Sequence, residues 1–133
     1  DEQFIRSCEK ALQWVLDSEL KNGTIYSLFK DGAFAPYERV DILAQTLRLG
    51  SMMQGRLENR QKIQPQLERL KTKLLSYQIK EGVQKGGFLY GQEQDGMIHY
   101  HVNAWVTMFA IQALYFYDGS PTSDPKDHFR FFI

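Results

Sequence analysis

The sequence predicts an all-α fold of two repeated α-helical hairpins with four main helices, and three observations predict it. First, two stretches are copies of one pattern. Gly23, Tyr26, Asp31 and Gly32 recur as Gly87, Tyr90, Asp95 and Gly96, an offset of 64 residues. Val40-Asp41 recurs as Val102-Asn103 at an offset of 62, so the second loop is two residues shorter. Second, an amphipathic helical pattern precedes each copy and an apolar one follows it. The unit is therefore helix, Gly-aromatic loop, helix, and repeats of this size bury their faces on one another. Third, 43% hydrophobic and 14% aromatic residues are enough to build a packed core.

The elements follow in order. Phe4, Ile5, Cys8, Leu12, Val15 and Leu16 share the i, i+3/i+4 spacing of a first helix that should end near Leu20, before the stop signal Asn22-Gly23. Cys8 lies on that stripe and reads as a buried thiol. The aromatic loop from Tyr26 to Pro36 holds a tight turn at Asp31-Gly32, which joins at most two very short extended pieces. A second helix is expected from about Tyr37 to Gln54, with Val40, Leu43, Ala44 and Leu47 on one face and Gly55 as a stop. The polar segment from Arg56 to Lys62 reads as a surface connection. A third helix begins near Ile63, with Pro65 in its first turn, where a missing N–H costs nothing. Leu67, Leu70 and Leu74 form its stripe, while Glu68, Lys71 and Lys73 face water. After the second glycine-rich loop, Gly82 to His101, comes a fourth helix, Ala104 to Tyr117, capped by Asn103. It is apolar nearly all round, which predicts burial on most sides. Asp118 to Pro121 ends it, and Phe129, Phe131 and Phe132 in the tail should dock on something.

Residues 1–133 are read as a single all-α domain or the C-terminal portion of a larger one, with repeat 1 at about 1–55 and repeat 2 at about 62–119. Sixteen basic residues balance sixteen acidic ones, so the chain lacks the footprint of a nucleic-acid binder. It has neither a basic run for a membrane surface nor an apolar run long enough to span a bilayer. The start, Asp1-Glu2-Gln3, does not read as a signal peptide, and nothing selects a compartment. No phosphate-loop spacing and no Gly-x-Ser-x-Gly elbow occurs, so no cofactor and no serine nucleophile is expected.

Two outer amphipathic helices alternate with two more apolar ones, as a layered α/α ring or arc requires. With Gly86-Gly87-Phe88-Leu89-Tyr90-Gly91, Asn103-Ala104-Trp105-Val106-Thr107-Met108-Phe109-Ala110 and Val40-Asp41-Ile42-Leu43-Ala44-Gln45-Thr46-Leu47-Arg48, the chain resembles part of an α/α toroid. That superfamily includes six-hairpin glycosidases, polysaccharide lyases and terpenoid-cyclase repeats. The resemblance implies a partial toroid, completed by further hairpins of the same protein or by a homo-oligomer. It also implies an oligosaccharide or polysaccharide ligand and, if the protein is an enzyme, a glycoside hydrolase or polysaccharide lyase. A terpenoid reaction is disfavoured, since no aspartate-rich motif is present.

Polar residues gather before each inner helix. Helix N-termini favour anionic or hydroxyl-rich ligands, and sugar rings stack on aromatic faces. Tyr37, Arg39, Asp41, Tyr90, His99, Asn103 and Trp105 are therefore the candidate ligand-binding residues, with Glu38 and His101 as candidate catalytic groups. Glycoside hydrolysis needs two carboxyl groups at one bond. Asp31 and Asp95 read more simply as turn formers and Asp41 as a helix-start residue. Glu93 reads as exposed, which leaves Glu38 foremost. His99-x-His101 lacks a third ligand at helpful spacing, so no metal is expected. The expected function is a carbohydrate-processing or glycan-binding module. The alternative is a non-catalytic helical interaction or structural module of a larger protein, in which the aromatic loops meet protein.

Overall fold

A computed structural model describes residues 2–54 and 60–119. Among the described residues, four helices accompany a three-stranded antiparallel sheet, so the fold is mixed α and β and the all-α expectation is corrected. The order is α1 (Glu2–Asp17), β1 (Tyr26–Lys30), β2 (Ala33–Arg39), α2 (Val40–Met53), α3 (Arg60–Ser76), β3 (Gly91–Gln92) and α4 (Ala104–Asp118).

The sheet comes from what reads as loop in the sequence. Asp31 (φ 53°) and Gly32 (φ 82°) both adopt left-handed backbone, the two-residue turn whose twist matches that of flanking strands. Lys30 pairs with Ala33, Phe29 with Phe34 and Leu28 with Ala35; after an irregularity, Tyr26 pairs with Glu38. The strands thus continue to Arg39, and Tyr37, Glu38 and Arg39 belong to β2 rather than to the start of a helix. β3 then pairs through Glu38↔Gln92 and Arg39↔Gly91. A Cβ on Gly91 would stand 2.1 Å from the Glu38 carbonyl oxygen, so only glycine permits that approach. The second repeat has its own smaller hairpin. Glu93 N–H donates to Met97 O at 2.8 Å around Gln94-Asp95-Gly96, and Gln92 bridges Ile98. Each repeat therefore runs helix, hairpin, helix.

α2 lies at the centre, packed on α1, α3 and, most extensively, α4. Its Val40, Leu43, Ala44, Thr46, Leu47 and Gly50 are buried. Gly50 admits α3 closely: a Cβ there would meet Leu67 Cδ2 at 2.4 Å. Ile63, Leu67, Leu70 and Leu74 of α3 complete the core beside Leu12 and Leu16 of α1. α3 starts at Arg60 rather than Ile63, which places Pro65 inside the helix instead of its first turn. Its Lys71, Lys73 and Glu68 do not simply face water. They meet Asp118, Glu38 and Tyr117 respectively. Arg69 holds the buried Glu19 carboxylate through Nε (2.9 Å) and Nη2 (2.7 Å), tying α3 to the turn after α1.

The prediction that α4 is buried on most sides is also corrected. Val106, Ala110 and Ala113 enter the core, whereas Trp105, Met108, Ile111 and Tyr115 are exposed. Asn103 caps α4 as expected, its Oδ1 accepting from Trp105 N (2.9 Å) and Val106 N (3.2 Å). Among the described residues, no helix is long and apolar enough to cross a membrane. The expected stop at Gly55, the connection after it to residue 59, and the docking of Phe129, Phe131 and Phe132 lie outside the described residues.

Candidate functional site

The β2–β3 register brings the two repeats to one rim. Arg39 pairs with Gly91, and its guanidinium carbon lies 5.4 Å from the ring centroid of the preceding residue, Tyr90. His101 stacks on Tyr90 at 5.2 Å and an interplanar angle of 23°. His99 meets the same tyrosine edge-on at 5.7 Å. On its other side, His99 Nε2 lies 2.7 Å from Glu93 Oε1. Arg39 donates to both Asp41 oxygens, Nε to Oδ1 at 3.0 Å and Nη2 to Oδ2 at 2.6 Å. These hydrogen bonds to Asp41 raise the Arg39 pKa, against partial burial, which lowers it. Tyr37 completes the group. Burial raises its pKa first, with Tyr90 and Glu93 adding to the shift.

Tyr37, Arg39, Asp41, Tyr90, His99 and His101 thus come together as one cluster, with Glu93 as a further member. Tyr90 is in contact with a guanidinium and two imidazoles, so the open ring at this rim is that of the exposed His101. Asn103 stands at the foot of α4, its side-chain oxygen committed to the cap. Trp105 is 68% exposed on the outward face of α4, 6.1 Å from Phe109.

Glu38 is placed differently. Successive strand residues point to opposite faces, so Glu38 turns away from Tyr37 and Arg39 toward α3. There it is 4% exposed. It accepts a hydrogen bond from the Tyr77 hydroxyl and lies 3.2 Å from Lys73 Nζ. Burial, and then the bond to Glu38, push the Tyr77 hydroxyl far above the usual tyrosine range. Glu38 also lines an open cleft of about 260 Å³, together with Asn22, Tyr26, Lys73, Gln92 and Glu93. Glu93 is thus shared between cleft and rim. Sequence reasoning missed Lys73 and Tyr77 as partners of Glu38. Lys73 stood on the polar side of its helix, and Tyr77 had no signal beyond lying one residue past that helix.

His99 and His101 have ring centroids 5.9 Å apart, and no group of three or more metal-ligating side chains occurs among the described residues. Comparison with known protein families, curated proteins and solved structures finds no match.

Proposed function

We propose that this chain is a glycan-binding module whose ligand sits on the rim formed by Tyr37, Arg39, Tyr90, His99 and His101. One observation carries the reading. Polar and aromatic groups from both repeats converge at the ends of β2 and β3, beside the N-termini of α2 and α4. Exposed rings next to paired carboxylates and a guanidinium match a sugar's needs, which are a flat C–H face to cover and hydroxyls to bond. Glu93 and Asp41 supply acceptors, and Arg39 and the histidines supply donors. The Asp41 pairing already neutralises Arg39, so a neutral glycan fits better than a uronate. If the module also processes its ligand, Glu38 and Glu93 are the two carboxylates that line one cleft, with His101 on the adjoining rim. In this reading α2 and α4 are neighbouring inner helices of an α/α arc.

Titration with neutral oligosaccharides, followed by calorimetry and by Trp fluorescence, tests the reading. Binding that weakens at least tenfold in both His101→Ala and Tyr90→Ala supports it, provided Trp14→Ala binds normally. Trp14 is the control because it packs in a separate aromatic cluster with Phe29 and Phe34. Failure of folded protein to bind any oligosaccharide overturns it. The second reading, an interaction module, is favoured by the bare apolar face of α4.

A further inference from the structure

The cleft beside the rim holds an uneven set of hydrogen-bonding atoms. Among the described residues, Tyr77 and Lys73 both meet Glu38 at Oε1. His99 likewise meets Glu93 at Oε1. In each carboxylate Oε2 is therefore the oxygen left for the cleft, which both residues line. Gln92, on the same wall, gives its side-chain N–H to the Gly96 carbonyl at 2.9 Å, so its Oε1 is left as an acceptor. Acceptors, two of them anionic, thus converge on one opening.

Charge leans the same way. Among the described residues that line the cleft, Lys73 is the cation and Glu38 and Glu93 are the anions. With His99 counted neutral, as at pH 7, the lining carries an excess negative charge. The cleft holds about 260 Å³. That is under the roughly 300–1,000 Å³ of sites for drug-sized ligands, so it admits one sugar ring rather than a run of them. Glu93 belongs to cleft and rim alike, so a glycan lying on the rim presents one end residue to the cleft.

We propose, building on the glycan reading of the rim, that the cleft receives one end residue of the glycan and that this residue is a hexosamine with an unsubstituted amine. The protonated amine brings a positive charge and three N–H donors. These match the excess charge and the oxygens Glu38 Oε2, Glu93 Oε2 and Gln92 Oε1. A hydroxyl in the amine's place brings one donor and no charge, and an acetamido group does no better, so neither satisfies the set. Ring hydroxyls are left for donors: the remaining N–H groups of Lys73, and the amide nitrogen of Asn22, whose Oδ1 accepts from Thr24 N at 3.0 Å. With both carboxylates on the amine, the cleft recognises its residue rather than cleaving the linkage to it.

The test titrates the full chain by calorimetry at neutral pH with three trisaccharides that share one linkage: cellotriose, its glucosamine counterpart and its N-acetylglucosamine counterpart. The glucosamine form should bind about tenfold tighter than the other two. Added salt should erase most of that preference and leave cellotriose binding unchanged. Glu93→Gln should bring the three ligands within about threefold of one another. The Glu93 side chain is part-exposed, so this variant should melt like the parent. Asp95→Asn, which removes an exposed charge outside the cleft lining, should keep the parent's preference. Cellotriose binding as tightly as the glucosamine form overturns the proposal and leaves the rim reading standing. So does a preference that salt or Glu93→Gln leaves intact, or that Asp95→Asn removes equally. Binding of none of the three overturns both.

Discussion

Leu43 and Trp105 occupy matching places in the two repeats, three residues after Val40 and Val102. Leu43 is 0% exposed and Trp105 68% exposed. The helices that carry them, α2 and α4, begin from the same short motif, and each is strongly apolar. Their surroundings differ because α2 has neighbours on three sides, while α4 leans chiefly on α2. An apolar composition therefore states how much surface a helix is able to bury. Position in the stack states how much it does bury.

Truncation at matched sites gives the largest expected contrast. Leu43→Ala should cost about 2–5 kcal/mol in denaturant unfolding, the range for a buried leucine. Trp105→Ala should stay within about 0.5 kcal/mol, as surface changes do. Equal costs at the two sites would mean that α4's face is covered in solution.

The hairpins give the next contrast. Gly91→Ala would drive a Cβ to within 2.1 Å of the Glu38 carbonyl oxygen, whereas a Cβ on Gly32 meets nothing within 4 Å. The Gly91 change should cost roughly 1–3 kcal/mol through crowding, and amide exchange across β2 and β3 should rise with it. Gly32→Ala carries only the strain of its positive φ, so a larger loss there would show that the first hairpin, not the β2–β3 contact, holds the sheet.

Alkaline titration separates the buried side of β2 from its exposed side. The folded-state pKa of Tyr77 is raised above its ordinary 10.0. The stability linked to this shift is fully present below that value and is lost as pH rises past it, because the unfolded tyrosine releases its proton first. The decline is about 1.4 kcal/mol per pH unit for each such tyrosine. Tyr77→Phe should flatten this part of the pH–stability curve. At neutral pH it should cost roughly 1–3 kcal/mol, because buried Glu38 loses a donor. An unchanged alkaline slope in the variant would place the titration elsewhere, with Tyr117 the next candidate, its hydroxyl pushed up to about 12 by burial and Glu68.

The helix starts give the smallest contrast. Asn103 caps α4 with its side chain, while Arg39, the residue before α2, makes no side-chain cap bond. Asn103→Ala should cost about 1 kcal/mol and leave glycan titrations unaltered. A loss of glycan binding with retained stability would move Asn103 into the ligand site.

Much of this layout was legible in the residues. Periodicity located the four helices to within a few residues, and the cap at Asn103 followed from its side-chain chemistry. The recurrence of Gly, Tyr, Asp and Gly marked the hairpins. What could not be read was the strand character of Tyr37 to Arg39, because Glu38 pairs with Tyr26 only past an irregularity in the first hairpin and with Gln92 more than fifty residues away. The site divides in the same way. Tyr37, Arg39, Asp41, His99 and His101 stood out as polar and aromatic residues ahead of inner helices. Their convergence on Tyr90 depends on the Arg39↔Gly91 register.

By itself, then, the sequence determined the local features of this protein: helix stripes, turn residues, one cap and a repeated unit. These depend on a residue and its near neighbours, through backbone sterics, short-range hydrogen bonds and the period of apolar side chains. Tertiary structure alone decided that Glu38 would be buried against Lys73 and Tyr77 while Arg39, the next residue, would face the rim. It also left the apolar stripe of α4 bare. Both outcomes depend on which distant segment lies alongside, and local pattern carries no record of that.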